Sequence, residues 1–192
     1  LVRWGAGTSG VGAAGAVSTA EAQSGVQCVQ LTGGSDAGRN ASLTRGEPFP
    51  ALVPLGLEAR IHLPGTIQDW RLSLQLYDGV NSTTFEIRWT DATNALAYMS
   101  SAGGAMVDFA TIDLTTADRH FHVVKFVLNA ATGNYVRVLI NDRGFTLPGV
   151  GGFVAANVAA PRLVTVVELF SRAGANDRMY VDNVIATQNE PI

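Results

Sequence analysis

The chain has 192 residues, of which 47% are hydrophobic and 15% are charged, and its formal net charge is −3. A chain of this length buries roughly 70% of the surface that it exposes when unfolded, so a core forms without a disulfide or a metal, and the single cysteine, Cys28, excludes a disulfide framework. The weak charge and the lack of a basic stripe argue against a nucleic-acid partner, and no stretch approaches the ~20 apolar residues of a membrane span.

Residues 5–18 (GAGTSGVGAAGAVS) are rich in Gly and Ala and contain no aromatic residue, so we predict a flexible loop or arm there. Beyond them, short apolar runs alternate at strand period and are separated by Gly, Pro, Asn and Asp. Residues 115–119 are compatible with one helical turn, and no amphipathic helix is indicated. We predict strands over residues 26–32, 55–63, 71–77, 83–90, 96–101, 106–112, 120–129, 134–141, 145–147, 162–172 and 178–187.

About ten or eleven strands with turns at this spacing predict an all-β fold, a two-sheet antiparallel jelly-roll sandwich. The strongest indication is in the last third, where residues 120–129 and 134–141 are joined by Ala-Ala-Thr-Gly, a connection typical of a β-hairpin. No internal repeat or change of composition marks a second domain. We therefore predict one domain over residues 1–192, and the sequence does not indicate its oligomeric state.

Alternation along the strands separates an apolar face from a polar face. In residues 71–77 three leucines oppose a series that includes Gln75 and Tyr77, and in residues 85–89 aromatic residues and an isoleucine oppose Glu86 and Arg88. If such strands lie side by side, they form a sheet surface rich in Arg, Glu, Gln and Tyr. The alternative is an ordinary solvated face on which Glu and Arg are cross-strand partners.

Three segments resemble the concanavalin A-like lectin/glucanase superfamily. YVDNVIAT at 180–187 resembles its final strand, and AQSGVQCVQL at 22–31 resembles an early strand. KFVL at 125–128, TGNYVRV at 132–138 and the turn NDRG at 141–144 resemble the hairpin before the final strand. The resemblance implies two facing curved sheets, with any glycan held on the concave sheet or on its rim loops.

The predicted function is non-catalytic carbohydrate binding, or a related accessory role, by the polar sheet face, in an extracellular or cell-surface setting. Sugars stack on exposed aromatic rings, and Arg, Gln and Glu side chains hydrogen-bond to adjacent hydroxyls. A further aromatic candidate for exposure is Tyr135. The predicted ligand contacts are Tyr77, Arg88, Tyr98, Arg137, Glu86 and Gln75.

Two alternatives remain open, a structural or assembly protein without a small ligand and a glycoside hydrolase. Retaining hydrolases that resemble this fold carry Glu-x-Asp-x-x-Glu on one strand, whereas here Arg88 follows Glu86 where the second acid would stand. A neighbouring arginine is expected to lower the pKa of Glu86, the wrong direction for a general acid. Hydrolysis would therefore need acids from separate strands, such as Glu86 and Glu168.

The predicted function requires no cofactor. The resemblance implies one candidate metal site, because relatives often use an oxygen ligand at the position of Asp182 to hold a structural calcium. The alternative is that Asp182 hydrogen-bonds the backbone of a turn. His120 and His122 share a strand face as two metal ligands would, but ordinary strand positions are the preferred interpretation.

Overall fold

The structure, a computed structural model, describes residues 4–36, 38–114, 120–147 and 149–191. These residues form fifteen strands and a 3₁₀ turn at Asp91–Thr93, and they include no helix long and apolar enough to cross a membrane. The predicted helical turn at 115–119 lies outside the described residues. The strands are β1 (Gly5–Thr8), β2 (Ala14–Ser18), β3 (Cys28–Thr32), β4 (Asn40–Pro48), β5 (Pro54–His62), β6 (Asp69–Tyr77), β7 (Asn81–Thr90), β8 (Ala95–Met99), β9 (Met106–Thr111), β10 (Phe121–Asn129), β11 (Asn134–Ile140), β12 (Arg143–Thr146), β13 (Phe153–Ala156), β14 (Arg162–Phe170) and β15 (Arg178–Gln188).

The strands form two antiparallel sheets. Sheet A has the order β1-β4-β14-β6-β7-β8-β9, and β13 also pairs with β7. Sheet B has the order β12-β11-β10-β5-β15-β3-β2. Late strands lie between early ones in both sheets, β14 between β4 and β6 and β15 between β5 and β3, as jelly-roll crossovers require. The predicted two-sheet antiparallel jelly-roll sandwich is confirmed.

The core lies between the sheets, and alternation predicts its members. Leu72 and Leu74 of β6 and Ile87 of β7 enter it from sheet A, and Leu57 and Ile61 of β5 enter it from sheet B; each is at most 2% exposed. Full burial of one such side chain contributes about 2 kcal/mol to folding. The polar residues between these positions therefore face away from the core on both sheets.

Residues 5–18 do not form the predicted loop or arm. They include β1, which pairs with β4 at the edge of sheet A, and β2, which pairs with β3 at the edge of sheet B. Their small side chains give no apolar alternation, so the sequence does not reveal the pairing. The prediction also omits β4, because only Ala41 and Leu43 are its buried apolar residues, while Gly46 and Pro48 are typical of turns.

On the edge of β7 opposite β6, two strands pair in succession. β13 pairs with residues 81–84 and β8 pairs with residues 87–90, so Phe85 and Glu86 lie between the two partners. Gly152 lies against the Phe85 ring, and a Cβ added to this glycine would be 2.8 Å from Phe85 Cε1. Only a residue without a side chain allows this approach. The strand pairing on this edge of β7 is therefore interrupted at Phe85 and Glu86, and we call this interruption the division of sheet A beside Glu86.

Candidate functional site

The polar face of sheet A, which points away from the core, carries charged side chains on three adjacent strands. The register aligns Glu168 of β14, Arg71 of β6 and Arg88 of β7 in one row. We call these three, together with Asp69 and Glu86, the charged cluster. Although they face outward, Glu86 is only 6% exposed and Asp69 only 4% exposed. The cluster is therefore shielded by neighbouring side chains, and its electrostatic interactions are stronger than those of a solvated surface.

Arg71 connects the members of the charged cluster. Its Nε donates a hydrogen bond of 3.0 Å to Asp69 Oδ1, and its Nη1 lies 3.6 Å from Glu86 Oε1. Its guanidinium carbon lies 3.8 Å from the centre of the Phe170 ring, within the range of a cation–π contact. The planar guanidinium thus links side chains of β6, β7 and β14 on the outer surface of the sheet.

Glu86 is the least typical carboxyl group of the charged cluster. Burial raises the pKa of Glu86 to about 7; the positive charge of Arg71 opposes the rise, and the negative charge of Glu168 adds to it. The prediction of a lowered pKa is therefore wrong, because loss of solvation outweighs attraction to arginine. Among the described residues, the buried atoms Glu86 Oε1 and Arg88 Nε both lack a hydrogen-bond partner.

Glu168 has a different environment in the same cluster. Its Oε1 accepts a hydrogen bond of 2.9 Å from Asn40 Nδ2 of β4. Burial raises the pKa of Glu168, while the charge of Arg71 and the hydrogen bond from Asn40 offset part of the rise. The negative charge of Glu168 in turn acts on Glu86. The structure therefore brings two acids from separate strands into electrostatic contact, which the sequence alone does not show.

Gln75 and Tyr77 lie on the same polar face, toward the end of β6. The Tyr77 hydroxyl donates a hydrogen bond of 2.9 Å to Gln75 Oε1. The guanidinium carbon of Arg162 lies 4.8 Å from the centre of the Tyr77 ring. Four of the six predicted contacts, Gln75, Tyr77, Glu86 and Arg88, thus share one face, and their role as ligand contacts stays a prediction.

The other two predicted contacts are not on this face. Tyr98 pairs with a core residue of β7 and faces inward, where its ring lies 5.7 Å from that of Tyr135; the alternation from buried Leu96 indicates this orientation. Arg137 belongs to sheet B, and its Nη2 lies 4.0 Å from Glu190 Oε2. The prediction that one polar face holds all six residues is therefore wrong, because alternation within a strand does not reveal which sheet the strand joins.

Tyr135, the further candidate for exposure, is only 1% exposed. It extends from sheet B across the core, and its ring meets the Phe85 ring edge-on at 5.1 Å. Its hydroxyl accepts a hydrogen bond of 2.7 Å from the Glu86 backbone N–H. The same oxygen lies 3.2 Å from the Glu86 carbonyl and 3.1 Å from the Met99 carbonyl. Burial raises the pKa of Tyr135, so the phenol stays protonated.

Asp182, the predicted calcium ligand, holds the loop between β2 and β3 against β15. Its Oδ2 accepts hydrogen bonds from the backbone N–H groups of Gln23 at 3.1 Å and Ser24 at 3.0 Å, and its Oδ1 accepts one from Asn183 at 2.8 Å. These donors compete with a cation for the same oxygens. No group of three or more His, Cys, Asp or Glu side chains suited to a metal ion occurs among the described residues. Calcium at Asp182 stays a prediction.

The list of predicted contacts omits three residues that shape the face. Arg71 alternates with the core leucines of β6, so the same pattern indicates its position. Asp69 begins that strand, and only its hydrogen bond to Arg71 identifies it. Asn40 belongs to β4, which the prediction omits, so its contact with Glu168 depends on tertiary structure alone.

No family model and no curated protein matches the sequence. Solved structures match the fold. The cellulose-induced protein Cip1 aligns with a TM-score of 0.63 and 16% identity, over 96% of this chain and 91% of that one. The potassium-bound carbohydrate recognition domain of Emp46p aligns with a TM-score of 0.61 and 9% identity, over 98% and 89%. An alginate lyase from Pseudomonas aeruginosa aligns with a TM-score of 0.56 and 9% identity, over 84% and 82%.

These likenesses confirm a jelly-roll sandwich of the type that the three sequence segments resemble. At identities this low they establish the fold and leave the function to be argued from the charged cluster and its surroundings.

Proposed function

We propose that the chain binds a carbohydrate on the polar face of sheet A, around the charged cluster. The observation that carries the proposal is the pair of buried polar atoms without hydrogen-bond partners, Glu86 Oε1 and Arg88 Nε, two residues apart on one strand face. Most buried polar atoms in folded proteins are hydrogen-bonded, so an exception on an outward face indicates a place that a ligand or water completes.

Sugar hydroxyls suit this pair because each hydroxyl both donates and accepts a hydrogen bond. Both atoms are buried, so the side chains above them would have to move aside for a ligand. A hydroxyl that donates to Glu86 Oε1, beside one that accepts from Arg88 Nε, would then satisfy both atoms. Gln75 and Tyr77 extend the polar surface along β6. The cations Arg71 and Arg88 lie among the acids of the cluster, a charge balance that favours an uncharged glycan over a polyanion.

The comparisons support the proposal at the level of the fold, because one aligned structure is named as a carbohydrate recognition domain and another as an alginate lyase. A glycan-binding role would place the protein in an extracellular or cell-surface setting.

A glycan-array screen of the purified chain, run with calcium and again with EDTA, tests the proposal. We expect a saturable hit that Arg88→Ala weakens at least about tenfold, since one charge-assisted hydrogen bond is lost, with little change in melting temperature. Arg137→Ala, on sheet B, should leave the affinity unchanged. If the whole array is silent and the mass in solution rises with concentration, the structural or assembly alternative replaces carbohydrate binding.

A second candidate function, glycoside hydrolysis, is favoured by the different environments of Glu86 and Glu168. Glu86 has a pKa of about 7 and no hydrogen bond at Oε1, as suits a general acid that protonates the leaving oxygen. Glu168 accepts from Asn40 and lies near Arg71, as suits a carboxylate that takes a proton from the attacking water. Release of reducing ends that Glu86→Gln and Glu168→Gln each abolish would establish hydrolysis, whereas binding without release would exclude it for that glycan.

A further inference from the structure

The division of sheet A beside Glu86 leaves backbone groups of β7 without a strand partner. β13 stops pairing at Thr84 and β8 starts at Ile87, so the N–H and C=O of Glu86 face a gap between the two strands. Unpaired backbone groups of a buried strand strongly favour any available hydrogen-bond partner. The partner here is the side chain of Tyr135, which comes from the other sheet.

The Tyr135 hydroxyl occupies this gap. It accepts from Glu86 N–H at 2.7 Å, and its own proton is within reach of the Glu86 carbonyl at 3.2 Å and the Met99 carbonyl at 3.1 Å. Met99 is in β8, so one oxygen atom joins β7 to its neighbour where the ladder is interrupted. The ring packs against Phe85 at 5.1 Å and Phe126 at 6.4 Å, which fixes the direction of the hydroxyl.

We infer that Tyr135 is a positioning residue for Glu86: its hydroxyl takes the place of the missing strand partner and holds the Glu86 backbone so that the carboxyl group stays beside Arg71 on the polar face. The inference rests on the proposed function of that face. Tyr135 is buried in the core, on the side of sheet A opposite the polar face, so it would act on binding only through Glu86.

Removal of the hydroxyl alone separates this role from simple packing. Tyr135→Phe keeps the ring but removes the acceptor of Glu86 N–H and the one proton that the Glu86 and Met99 carbonyls share. The strand must therefore shift or admit water there. A residue that only fills the core would change the stability of the whole chain equally. Loss of a positioning residue would also speed the local unfolding of one short segment of β7 and lower the affinity of the polar face of sheet A for its ligand.

The test compares Tyr135→Phe with Tyr180→Phe, a buried tyrosine of the small cluster on the outer face of sheet B, in the full chain. Amide hydrogen exchange, read by NMR, should be about tenfold to 100-fold faster at Glu86 in Tyr135→Phe, with Leu72 and Leu74 unchanged, as loss of one buried hydrogen bond predicts. Affinity for the glycan found on the array should fall about tenfold in Tyr135→Phe and stay unchanged in Tyr180→Phe.

Equal acceleration at Glu86, Leu72 and Leu74 would overturn the inference, since it would show a global effect. If the wild type binds no glycan, the proposed function fails, and the exchange at Glu86 still decides whether Tyr135 holds that strand. If Tyr135→Phe does not fold, exchange in the wild type decides: protection of the Glu86 amide equal to that of Leu72 supports the inference, and fast exchange at Glu86 overturns it.

Discussion

The polar faces of the two sheets differ in how their charged groups are satisfied. On sheet B, Glu190 accepts a hydrogen bond of 2.7 Å from Lys125 Nζ, and Asp182 accepts backbone N–H groups from the loop between β2 and β3. The buried Arg60 Nε on this sheet lacks a hydrogen-bond partner among the described residues. On sheet A, Glu86 Oε1 and Arg88 Nε are buried without a hydrogen-bond partner among the described residues. Glu190 and Asp182 on sheet B thus have hydrogen-bond donors, whereas sheet A places a carboxyl oxygen and an arginine nitrogen that both lack a partner two residues apart on one strand.

The proposed function accounts for this difference, because a bound ligand would supply the partners that Glu86 Oε1 and Arg88 Nε lack. A buried polar group without a partner destabilises a fold by about 1–3 kcal/mol. The polar face of sheet B has such a group in Arg60 Nε, and that of sheet A has two of opposite charge type side by side in Glu86 Oε1 and Arg88 Nε. An incomplete network is expected where a ligand completes it, because strain and unsatisfied groups concentrate at functional sites. The carboxylates of Glu190 and Asp182 on sheet B, by contrast, have their donors within the chain, so folding alone explains them.

Substitution of Arg71 on sheet A and of Arg137 on sheet B tests the difference between the two polar faces, and it gives the largest expected effect. Their side chains are 26% and 28% exposed. Arg71 lies beside the buried carboxylates of Asp69 and Glu86, and Arg137 lies beside Glu190, which follows β15. Arg71→Ala leaves both Asp69 and Glu86 without their shared cation, so we expect a loss of about 3 kcal/mol of unfolding free energy. Arg137→Ala should lose less than about 1 kcal/mol, because Lys125 still pairs with Glu190.

Urea unfolding of both variants at pH 7.5 provides the measurement. Equal losses would mean that the two faces are equivalent structural networks and would remove the contrast between the sheets.

The pH dependence of stability gives the second prediction. The pKa of Glu86 is about 7 in the folded chain, against an ordinary value of 4.5. The folded state therefore holds this proton more tightly than the unfolded state, and the contribution of Glu86 to stability is lost as the pH rises from 4.5 to 7, by as much as ~3 kcal/mol. Glu86→Gln cannot titrate, so its unfolding free energy should decline less over this range and match or exceed the wild type by pH 8.

Glu190→Gln on sheet B is the matched control, with the opposite sign. Burial raises the pKa of Glu190, but hydrogen bonds from Lys125 and Thr187 outweigh it and hold the pKa below its usual value. Its contribution to stability is therefore present above the usual carboxyl range and lost as the pH falls. Glu190→Gln should destabilise the chain at neutral pH. If the unfolding free energies of the wild type and Glu86→Gln change in parallel with pH, the raised pKa of Glu86 is contradicted.

The sequence predicts the central strands well and the division of roles between the sheets poorly. Strands such as β6 and β14 bury a continuous apolar face, so alternation locates them within two residues of their ends. The edge strands β1 and β2 bury little, so no periodicity reveals them. Alternation also places Glu86 and Arg88 on the outer side of β7, because this depends only on neighbours along one strand.

The site depends on contacts that no local pattern contains. The sheet to which Arg137 belongs is set by strand order, and the proximity of Glu168 to Glu86 results from the insertion of β14 between β4 and β6. The raised pKa of Glu86 follows from burial by residues distant in sequence. Local reasoning therefore misjudges both the membership and the electrostatics of the cluster.

The third prediction concerns Asp182 and calcium. Asp182→Ala removes two hydrogen bonds from the backbone of the loop between β2 and β3. We therefore expect a loss of about 1–2 kcal/mol of unfolding free energy in either calcium or EDTA if the carboxylate only hydrogen-bonds. A melting temperature of the wild type that rises with calcium, and a rise that is absent in Asp182→Asn, would instead establish the predicted calcium site. Asp78→Ala is the control, because Asp78 also accepts two backbone N–H groups, from Val80 and Asn81.

The smallest expected effect tests how far the binding face extends along β6. Tyr77→Phe removes one partly exposed hydrogen bond to Gln75 but keeps the ring beside Arg162, so stability should change by less than about 0.5 kcal/mol. Affinity for the array glycan should fall about twofold to fivefold, because Gln75 loses the partner that orients its amide. Tyr77→Ala, which also removes the ring, should lower the affinity further.

If both substitutions at Tyr77 leave the affinity unchanged while Arg88→Ala reduces it, the ligand contacts only the charged cluster. The end of β6 with Gln75 and Tyr77 would then be a structural surface, since the hydroxyl of Tyr77 and the amide of Gln75 already hydrogen-bond to one another. The boundary between binding and structural surface would in that case lie within one sheet, between Gln75 and Arg71, rather than between the two sheets.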